Sequence, residues 1–277
     1  MQAETPSGKG AADENFPVGS WLIPPALRPH VAAYYAFARA IDDIADNPAL
    51  APHDKIARLE GFAQALEGND PAPIYAKAHA LRATMLATGI TTRHGLDLIS
   101  AFKQDAVKPR YETWDELIDY CLRSASPVGR FLCDLHGEDK ALYPLSDTLC
   151  NALQVINHLQ DCAKDFAEMD RVYLPEEWMR AEGTTVADLA LPAATPGLRR
   201  VLRRCVAGTE SLMIEARKLP GAMKHPRLAA ETAVIVSVAG KLTRRLGRED
   251  PLAKRVALGP VGYLSAMIGG LARLWLR

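Results

Sequence analysis

The chain has 277 residues, with 33 Lys and Arg residues against 33 Asp and Glu residues, so its formal net charge is zero. A neutral chain has no extended cationic field, which argues against nucleic acid as a partner. Its hydrophobic content of 48% is typical of a globular protein. Five cysteines form neither a C-x-x-C pair nor a zinc-ligand spacing, which disfavours a disulfide framework and a structural zinc site.

The two ends of the chain carry little sign of export or membrane insertion. Residues 1–14 are polar and lack the apolar core of a signal peptide, so we expect a disordered tail. No later run of about eighteen apolar residues predicts a membrane-spanning helix. A cytoplasmic protein is therefore expected.

Apolar residues recur at steps of three and four through most of the chain, and alternating β-branched segments are nearly absent. This pattern predicts an all-α fold. Proline and glycine clusters separate the helices, and none is long enough to be an interdomain linker, so residues 15–277 are predicted to form one domain. The predicted helices cover residues 25–47, 53–67, 72–88, 92–105, 112–124, 126–137, 145–168, 174–180, 195–218, 225–247 and 260–276.

The first predicted helix carries three aspartates on one face. Tyr35, Arg39, Asp42, Asp43 and Asp46 follow one another at steps of four, three, one and three, which places them on the same side of a helix. Like charges at such spacing destabilise a helix by about 0.2–0.5 kcal/mol per pair. A bound cation would relieve the repulsion.

A second polar stripe lies on the predicted helix 145–168. Gln154, Asn157, Asp161 and Asp165 share one face and offer only oxygen-bearing ligands to a metal, which suits Mg²⁺. Each stripe alone is usually a solvated helix face. Two stripes on otherwise apolar helices favour a joint site in which the helices face each other and hold a diphosphate through Mg²⁺.

Four segments make the chain resemble the squalene/phytoene synthase family from residue 15 to about residue 255. They are Tyr-Ala-Phe-Ala-Arg-Ala-Ile-Asp-Asp-Ile-Ala-Asp at 35–46, Tyr-Cys-Leu-Arg-Ser-Ala-Ser-Pro-Val-Gly at 120–129, Leu-Gln-Val-Ile-Asn-His-Leu-Gln-Asp-Cys-Ala-Lys-Asp at 153–165 and Arg-Val-Tyr-Leu-Pro at 171–175. The resemblance implies a single-domain helical bundle of the isoprenoid synthase type with a central cavity.

Two short runs, Glu-Asn-Phe-Pro-Val at 14–18 and Ser-Ala-Ser-Pro-Val-Gly at 124–129, resemble the hydroxysqualene synthase branch of that family. This implies Mg²⁺-dependent conversion of presqualene diphosphate and water into hydroxysqualene and diphosphate, in squalene and hopanoid biosynthesis. The implied pathway partners are a sister enzyme that makes presqualene diphosphate and a flavoprotein that reduces hydroxysqualene. A sibling activity, making presqualene diphosphate, squalene or a carotenoid precursor, stays open.

The resemblance also implies roles for individual residues. The Mg²⁺ ligands, direct or through water, would be Asp42, Asp46, Asn157, Asp161 and Asp165, with Asp43 and Tyr120 as further catalytic candidates. Gln160 departs from the Arg or Lys that many relatives carry there, which predicts a weaker diphosphate contact. The diphosphate or the first isoprenoid unit would meet Asn15, Tyr35, Arg39, Gln154, Asn157, Arg171 and Tyr173.

Loss of diphosphate from such a substrate leaves a carbocation, and we expect water to quench it. Tyr120 or Ser124 is the hypothetical residue that positions this water. Aromatic faces at Tyr35, Phe37, Phe131 or Tyr120 would stabilise a migrating cation at about 0.5–2 kcal/mol each, with ordinary core packing as the alternative. His158 is expected to be structural or solvent-facing rather than a ligand.

The predicted helix 260–276 has an apolar face that includes Leu264, Met267 and Ile268. Peripheral contact with the inner membrane and packing on the bundle are equally open for it. Two other classes of protein also build acidic helices. A di-iron carboxylate bundle requires Glu-x-x-His pairs, which the sequence lacks. A noncatalytic helical scaffold would have no Mg²⁺ dependence and no affinity for diphosphate.

Overall fold

The computed structural model describes residues 3–6, 8 and 22–275. Within these residues the regular structure is helical, and the one β-bridge joins Arg110 to Val172 without forming a strand. The prediction of an all-α fold is confirmed. Three short 3₁₀ turns accompany the α-helices, which are α1 (Arg28–Asp46), α2 (Pro52–Glu67), α3 (Ala76–Thr88), α4 (Arg93–Asp105), α5 (Trp114–Ser124), α6 (Ser126–Leu135), α7 (Tyr143–Met169), α8 (Glu176–Ala181), α9 (Pro196–Ala216), α10 (Leu219–Ala222), α11 (Pro226–Leu246) and α12 (Pro260–Trp275).

Proline and glycine set most of the helix ends, as the sequence predicts. Helix α1 stops at Asp46 because Pro48 favours an extended conformation for Asn47, whose φ and ψ are −69° and 112°. Helix α2 ends at Gly68, which adopts the left-handed conformation with φ of 89°. Each predicted helix is present, and α10 is an addition because its Pro220 and Gly221 indicate a break rather than a helical turn.

Among the described residues, the buried apolar side chains form two clusters. The first cluster joins α1 to α4 and α6 around fully buried side chains such as Phe37 and Phe62. The second joins α5, α7, α9 and α11 around residues such as Ile156 and Leu198. Helix α7 packs against α6 and α9, so it lies between the clusters. In the described residues, no helix is both long and apolar enough to cross a bilayer.

A cavity of about 300 Å³ lies between α1, the α5–α6 junction, α6, α7 and α11. This is the central cavity that the family resemblance implies. Gly129 keeps α6 close to α7 at its wall, because a Cβ atom there would lie 2.4 Å from Ser146 Oγ and 2.6 Å from Cys150 Sγ. The lining of the cavity is mainly apolar and includes Val31, Tyr34, Ala38, Val128, Phe131, Leu149, Leu153, Met223, Leu228 and Ile235.

Part of the segment expected to be disordered contacts this bundle. Ala3 is buried, and the Thr5 hydroxyl donates a hydrogen bond to the carbonyl of Asp43 over 3.0 Å. Glu4 pairs with Lys77 at 2.6 Å, which ties the segment to α3. Most of residues 1–21 lie outside the described residues.

Candidate active site

Both polar stripes begin in the cavity and run toward the C-terminal ends of their helices. Tyr35 lines the cavity from α1, and Gln154 and Asn157 line it from α7. The aspartates follow within the next turns, up to Asp46 at the end of α1 and Asp165 near the end of α7. A helix C-terminus carries partial negative charge, so these ends attract cations in addition to the carboxylates.

The two stripes meet beyond the cavity. The pKa of Asp165 is raised to about 7, first by burial and then by the negative charges of Asp161 and Asp46. Because Asp46 belongs to α1 and Asp165 to α7, this repulsion acts between the helices as well as along one of them. The two acidic faces therefore approach each other near the C-terminal ends of α1 and α7, and a shared metal site stays a prediction.

Arg171 connects the C-terminal ends of the two helices. It follows α7, is almost fully buried, and donates from Nη1 to Asp46 Oδ1 and from Nη2 to the carbonyl of Ala45, both over 2.6 Å. On α1, Arg39 donates to Asp42 and, over 3.1 Å from Nε, to Asp43 Oδ1. Both arginines singled out in the sequence therefore lie among the acids.

The aspartates of α1 differ in exposure. Asp42 and Asp46 retain 28% and 33% of their side-chain surface, whereas Asp43 retains 8%. Two partly exposed carboxylates thus lie beside a third that is buried, and Arg39 contacts both Asp42 and Asp43. This arrangement favours Asp42 and Asp46 as ligands and Asp43 as the partner that orients Arg39.

A further cation reaches the site from a distant part of the chain. Arg255 Nε lies 2.9 Å from Asp161 Oδ1, in the segment between α11 and α12. The neighbouring Gln160 is buried and donates from Nε2 to the carbonyl of Val256, which holds that segment against α7. Gln160 therefore faces away from the acids, and Arg255 supplies a positive charge that the sequence pattern of α7 does not reveal.

Tyr120 and Tyr173 lie in the core beside the site, away from the cavity lining. The Tyr120 hydroxyl donates to Asp105 Oδ2 over 2.6 Å, and the Tyr173 hydroxyl donates to Asp105 Oδ1 over 3.3 Å. Burial raises the pKa of Asp105 to about 6, although the nearby Arg171 charge and the Tyr120 hydrogen bond oppose the shift. The hypothesis that Tyr120 positions the attacking water does not agree with this placement, because its hydroxyl is bound to Asp105.

His158 lies in the same core region. Its ring stacks on Tyr173 with centroids 3.6 Å apart, and burial together with the Arg171 charge lowers its pKa to about 3. The imidazole is therefore neutral at physiological pH. This agrees with a structural rather than a ligand role.

Some of the aromatic residues proposed to stabilise a cation line the cavity, and others do not. Tyr35 and Phe131 line it, and Phe131 also stacks on Tyr34 with centroids 4.2 Å apart. Phe37 is fully buried in the first cluster and does not line the cavity. Ser124 is among the residues that line the cavity, and its buried hydroxyl has no hydrogen-bond partner among the described residues.

The donor set at the meeting of the stripes suits a hard divalent cation. Asp46, Asp161 and Asp165 supply carboxylate oxygens there, and the crowding around Asp165 is what a cation would relieve. Across residues 22–275 and the few described before them, no group of three or more His, Cys, Asp or Glu side chains is already arranged to hold a metal. Asn15 lies outside the described residues.

An apolar cavity that leads toward acidic and arginine side chains is the kind of site that suits a substrate with a hydrocarbon chain and an anionic head group. The squalene/phytoene synthase family model matches residues 10–261. The chain therefore belongs to the squalene/phytoene synthase family, whose members act on prenyl diphosphates in isoprenoid biosynthesis.

Similar proteins agree with this assignment. The chain is 46% identical to the hydroxysqualene synthase of Zymomonas mobilis subsp. mobilis, covering 90% of this chain and 84% of the relative. It is 42% identical to that of Rhodopseudomonas palustris, covering 98% and 92%. A crystal structure of a squalene synthase from Alicyclobacillus acidocaldarius is 34% identical, with a TM-score of 0.72 over 83% of this chain and 88% of that one. A dehydrosqualene synthase structure, 20% identical with a TM-score of 0.75 over 92% and 90%, shares the fold.

Proposed function

We propose that this protein converts presqualene diphosphate and water into hydroxysqualene and diphosphate, using Mg²⁺. The observation that carries the proposal is the meeting of Asp46, from α1, with Asp161 and Asp165, from α7, beyond an apolar cavity. The relatives named hydroxysqualene synthase, at 42% to 46% identity, support this branch of the family.

Departure of the diphosphate is the step that requires the charged groups. Asp42, Asp46, Asn157, Asp161 and Asp165 would hold Mg²⁺, which when bound supplies positive charge to the leaving group. Arg39 and Arg171 are already oriented by carboxylates and backbone, and they stabilise the negative charge that grows on the diphosphate. Arg255, beside Asp161, adds a third guanidinium from the segment after α11.

The cavity controls what happens to the carbocation. Its largely apolar wall gives the cation few nucleophiles, and the faces of Tyr35 and Phe131 stabilise positive charge at about 0.5–2 kcal/mol each. Exclusion of bulk water prevents the cation from being quenched before it rearranges. A single held water then gives the alcohol.

The test uses purified protein with Mg²⁺ and either farnesyl diphosphate or presqualene diphosphate in H₂¹⁸O, with product analysis by mass spectrometry. We expect hydroxysqualene from presqualene diphosphate, with its oxygen labelled because water attacks carbon. Presqualene diphosphate formed from farnesyl diphosphate, or squalene or phytoene as the main product, would assign a sibling activity. An unlabelled alcohol would contradict attack of water on the cation.

Metal binding has its own pair of variants. Asp161→Asn removes one proposed ligand, and the control Asp119→Asn changes an exposed aspartate on α5 that pairs with Arg123. We expect the first to need more Mg²⁺ for half-maximal rate and the second to match the wild type. Equal Mg²⁺ dependence in all three proteins would remove Asp161 from the ligand set.

We also propose that α12 lies against the inner membrane, where an apolar product is delivered from a cytoplasmic enzyme. One side of α12 packs on α11, with Ala266 fully buried. On the other side Val261, Leu264 and Ile268 are 80%, 53% and 59% exposed. An amphipathic helix with such a face binds at the bilayer interface.

Co-sedimentation with anionic liposomes tests this contact. Replacing Leu264 and Ile268 by Glu is expected to weaken liposome binding, because two apolar side chains leave the bilayer boundary. The matched control is Ile214→Glu on α9, since Ile214 is 58% exposed on another surface. Unchanged binding of the α12 variant would contradict membrane contact through this helix. Sister enzymes of the pathway stay expected partners.

A further inference from the structure

Arg255 covers both oxygens of Asp161, one of the carboxylates at the meeting of the two polar stripes. Its Nε lies 2.9 Å from Oδ1 and its Nη2 lies 3.4 Å from Oδ2, which is the bidentate geometry that arginine forms with a carboxylate. A metal ion that took Asp161 as a ligand would lie close to this positive charge and be repelled by it. Arg255 and a metal ion therefore compete for Asp161.

The backbone around Arg255 is anchored, whereas its side chain is half exposed. Val256 is fully buried in the second apolar cluster, and its carbonyl accepts a hydrogen bond from Gln160. The next carbonyl, that of Ala257, accepts from Arg245 Nη1 over 2.5 Å. The Arg255 side chain keeps 52% of its surface exposed. Its guanidinium can therefore change partner while the segment between α11 and α12 stays in place.

The other two arginines of the site have less freedom to move. Arg171 is almost fully buried and is held by both a carboxylate and a backbone carbonyl of α1. Arg39 is mostly buried and contacts two carboxylates of its own helix. Of the three guanidiniums that contact these acids in the described part of the chain, that of Arg255 is therefore the one best placed to exchange its partner.

Pairing with Arg255 does not satisfy the acidic site as a whole. Asp165, one turn after Asp161 on α7, is still crowded by the negative charges of Asp161 and Asp46. A cation drawn to this crowded carboxylate arrives beside the Arg255 guanidinium, which then requires another anion. The diphosphate of the substrate supplies one, because phosphate oxygens accept the same two-donor fork as a carboxylate does.

We propose that Arg255 takes the place of the metal ion at Asp161 in the ligand-free protein and moves to the diphosphate when that ion binds. This inference rests on the proposed function and adds to it how the site is regulated. The guanidinium leaves one pair of oxygens for another, so no covalent bond forms or breaks in the exchange. Arg255 is then a positioning residue whose contact with the head group depends on the metal.

The exchange makes metal and diphosphate bind cooperatively. When a metal ion binds alone, Arg255 has to leave Asp161 without gaining a new partner, which weakens the binding of that ion. When diphosphate is also present, the displaced guanidinium binds it, so the same displacement is compensated. Linkage requires that each ligand then raises the affinity for the other by the same factor.

Isothermal titration calorimetry of the full chain measures the two parts of the exchange separately. One titration uses Mg²⁺ alone, and the other uses inorganic diphosphate at a saturating concentration of Mg²⁺. For Arg255→Ala we expect Mg²⁺ alone to bind about five-fold or more tightly, because the competing charge is absent. We expect diphosphate to bind about five-fold or more weakly, because one guanidinium is missing. A residue that only supports the fold would not shift the two affinities in opposite directions.

Further variants check the cause of these shifts. Arg255→Lys keeps the positive charge, so Mg²⁺ alone should bind as weakly as it does to the wild type. Arg199→Ala is the matched control, because Arg199 is an exposed arginine that pairs at 3.0 Å with Asp250 in the same segment. Both of its affinities are expected to match the wild type. Should Arg255→Ala fold poorly, Arg255→Gln replaces it, because glutamine removes the charge but keeps a polar side chain.

The outcomes separate this inference from the proposed function. A wild type that shows no Mg²⁺-dependent binding of diphosphate contradicts the proposed function itself. A wild type that binds both ligands, combined with anything other than tighter Mg²⁺ and weaker diphosphate binding in Arg255→Ala, contradicts only the exchange at Arg255. The same pair of shifts in Arg199→Ala would also overturn it, because they would then report a loosened segment rather than the charge of Arg255.

Discussion

Arg171 illustrates how a single side chain connects distant parts of this site. Its guanidinium holds Asp46 and the carbonyl of Ala45 at once, which requires two donors in a fixed fork. Arg171→Lys keeps the charge but satisfies only one acceptor. Because a hydrogen bond to a charged group contributes about 1.5–3 kcal/mol, we expect kcat/KM to fall about ten- to one hundred-fold.

Steady-state kinetics with presqualene diphosphate measures this change. The control is Arg180→Lys, because Arg180 pairs with Glu112 on an exposed surface. Its kcat/KM is expected to stay at the wild-type value. Full activity of the Arg171→Lys variant would mean that only the charge of the residue matters.

Asp105 gives a prediction about stability rather than rate. It is buried, and its pKa is raised to about 6, so the folded protein holds this proton more tightly than the unfolded chain. The contribution of the protonated acid to the free energy of unfolding is complete below about pH 4, and it is lost as the pH rises through about 6. The loss is ~3 kcal/mol, because each pKa unit corresponds to about 1.4 kcal/mol.

Urea denaturation of the wild type and of Asp105→Asn, at pH 4.5 and pH 7.5, measures whether the stability falls with rising pH as expected. The asparagine stays neutral and still accepts from Tyr120, so the wild type should become less stable relative to the variant at the higher pH. A free-energy difference that is independent of pH would show that Asp105 does not titrate in this range.

Single residues were also where prediction from sequence was weakest. Helical spacing identifies Arg39, Asp42 and Asp46 as neighbours, since they lie within two turns of one helix. Helical spacing does not predict the contact between Arg255 and Asp161, because that contact depends on how a nonhelical segment folds back on α7. Nor does it distinguish Tyr120, which is bound to Asp105 in the core, from Ser124, which lines the cavity.

At the level of helices the sequence is far more informative. The apolar periodicity and the proline and glycine breaks predict every major helix, because these signals are local. Which helices touch is a longer-range property, set by small residues at close contacts. Gly270 is such a contact, since a Cβ atom there would lie 2.6 Å from the carbonyl oxygen of Ala233 on α11.

A pair of neighbouring glycines makes this contact testable. Gly270→Ala must push α12 away from α11, and we expect it to cost about 1–3 kcal/mol, the usual penalty of overpacking. Gly269→Ala is the control, because its Cβ would have no neighbour closer than 3.8 Å and alanine favours the helix. Thermal unfolding of both variants measures the difference, and an equal melting temperature would indicate that α12 is not held at Gly270.

Over the residues that the structure describes, the bundle consists of two apolar clusters with the candidate site between them. Helix α1 belongs to the first cluster and α7 to the second, and the cavity separates them. The negative charges therefore repel across the junction of the two halves. A ligand that binds both stripes would hold the halves together, which couples binding at the site to the stability of the entire fold.

This coupling predicts that Mg²⁺ together with inorganic diphosphate raises the melting temperature. A ligand at about one hundred times its Kd adds ~2.7 kcal/mol, which corresponds to several degrees for a domain of this size. Mg²⁺ alone is expected to give a smaller rise, because the guanidiniums of Arg39 and Arg171 then bind no diphosphate. Differential scanning fluorimetry measures both shifts in the wild type.

Substitutions on both helices locate the effect. Asp46→Asn combined with Asp165→Asn removes one carboxylate from each stripe, so the shift with Mg²⁺ and diphosphate should largely disappear, whereas Asp119→Asn should retain it. Without ligand the double variant is expected to be less stable than the wild type, because Asp46→Asn leaves the buried Arg171 guanidinium without its ionised partner, a loss that the relieved repulsion at Asp165 offsets only in part. A full ligand-induced shift in the double variant would mean that diphosphate binds elsewhere on the protein.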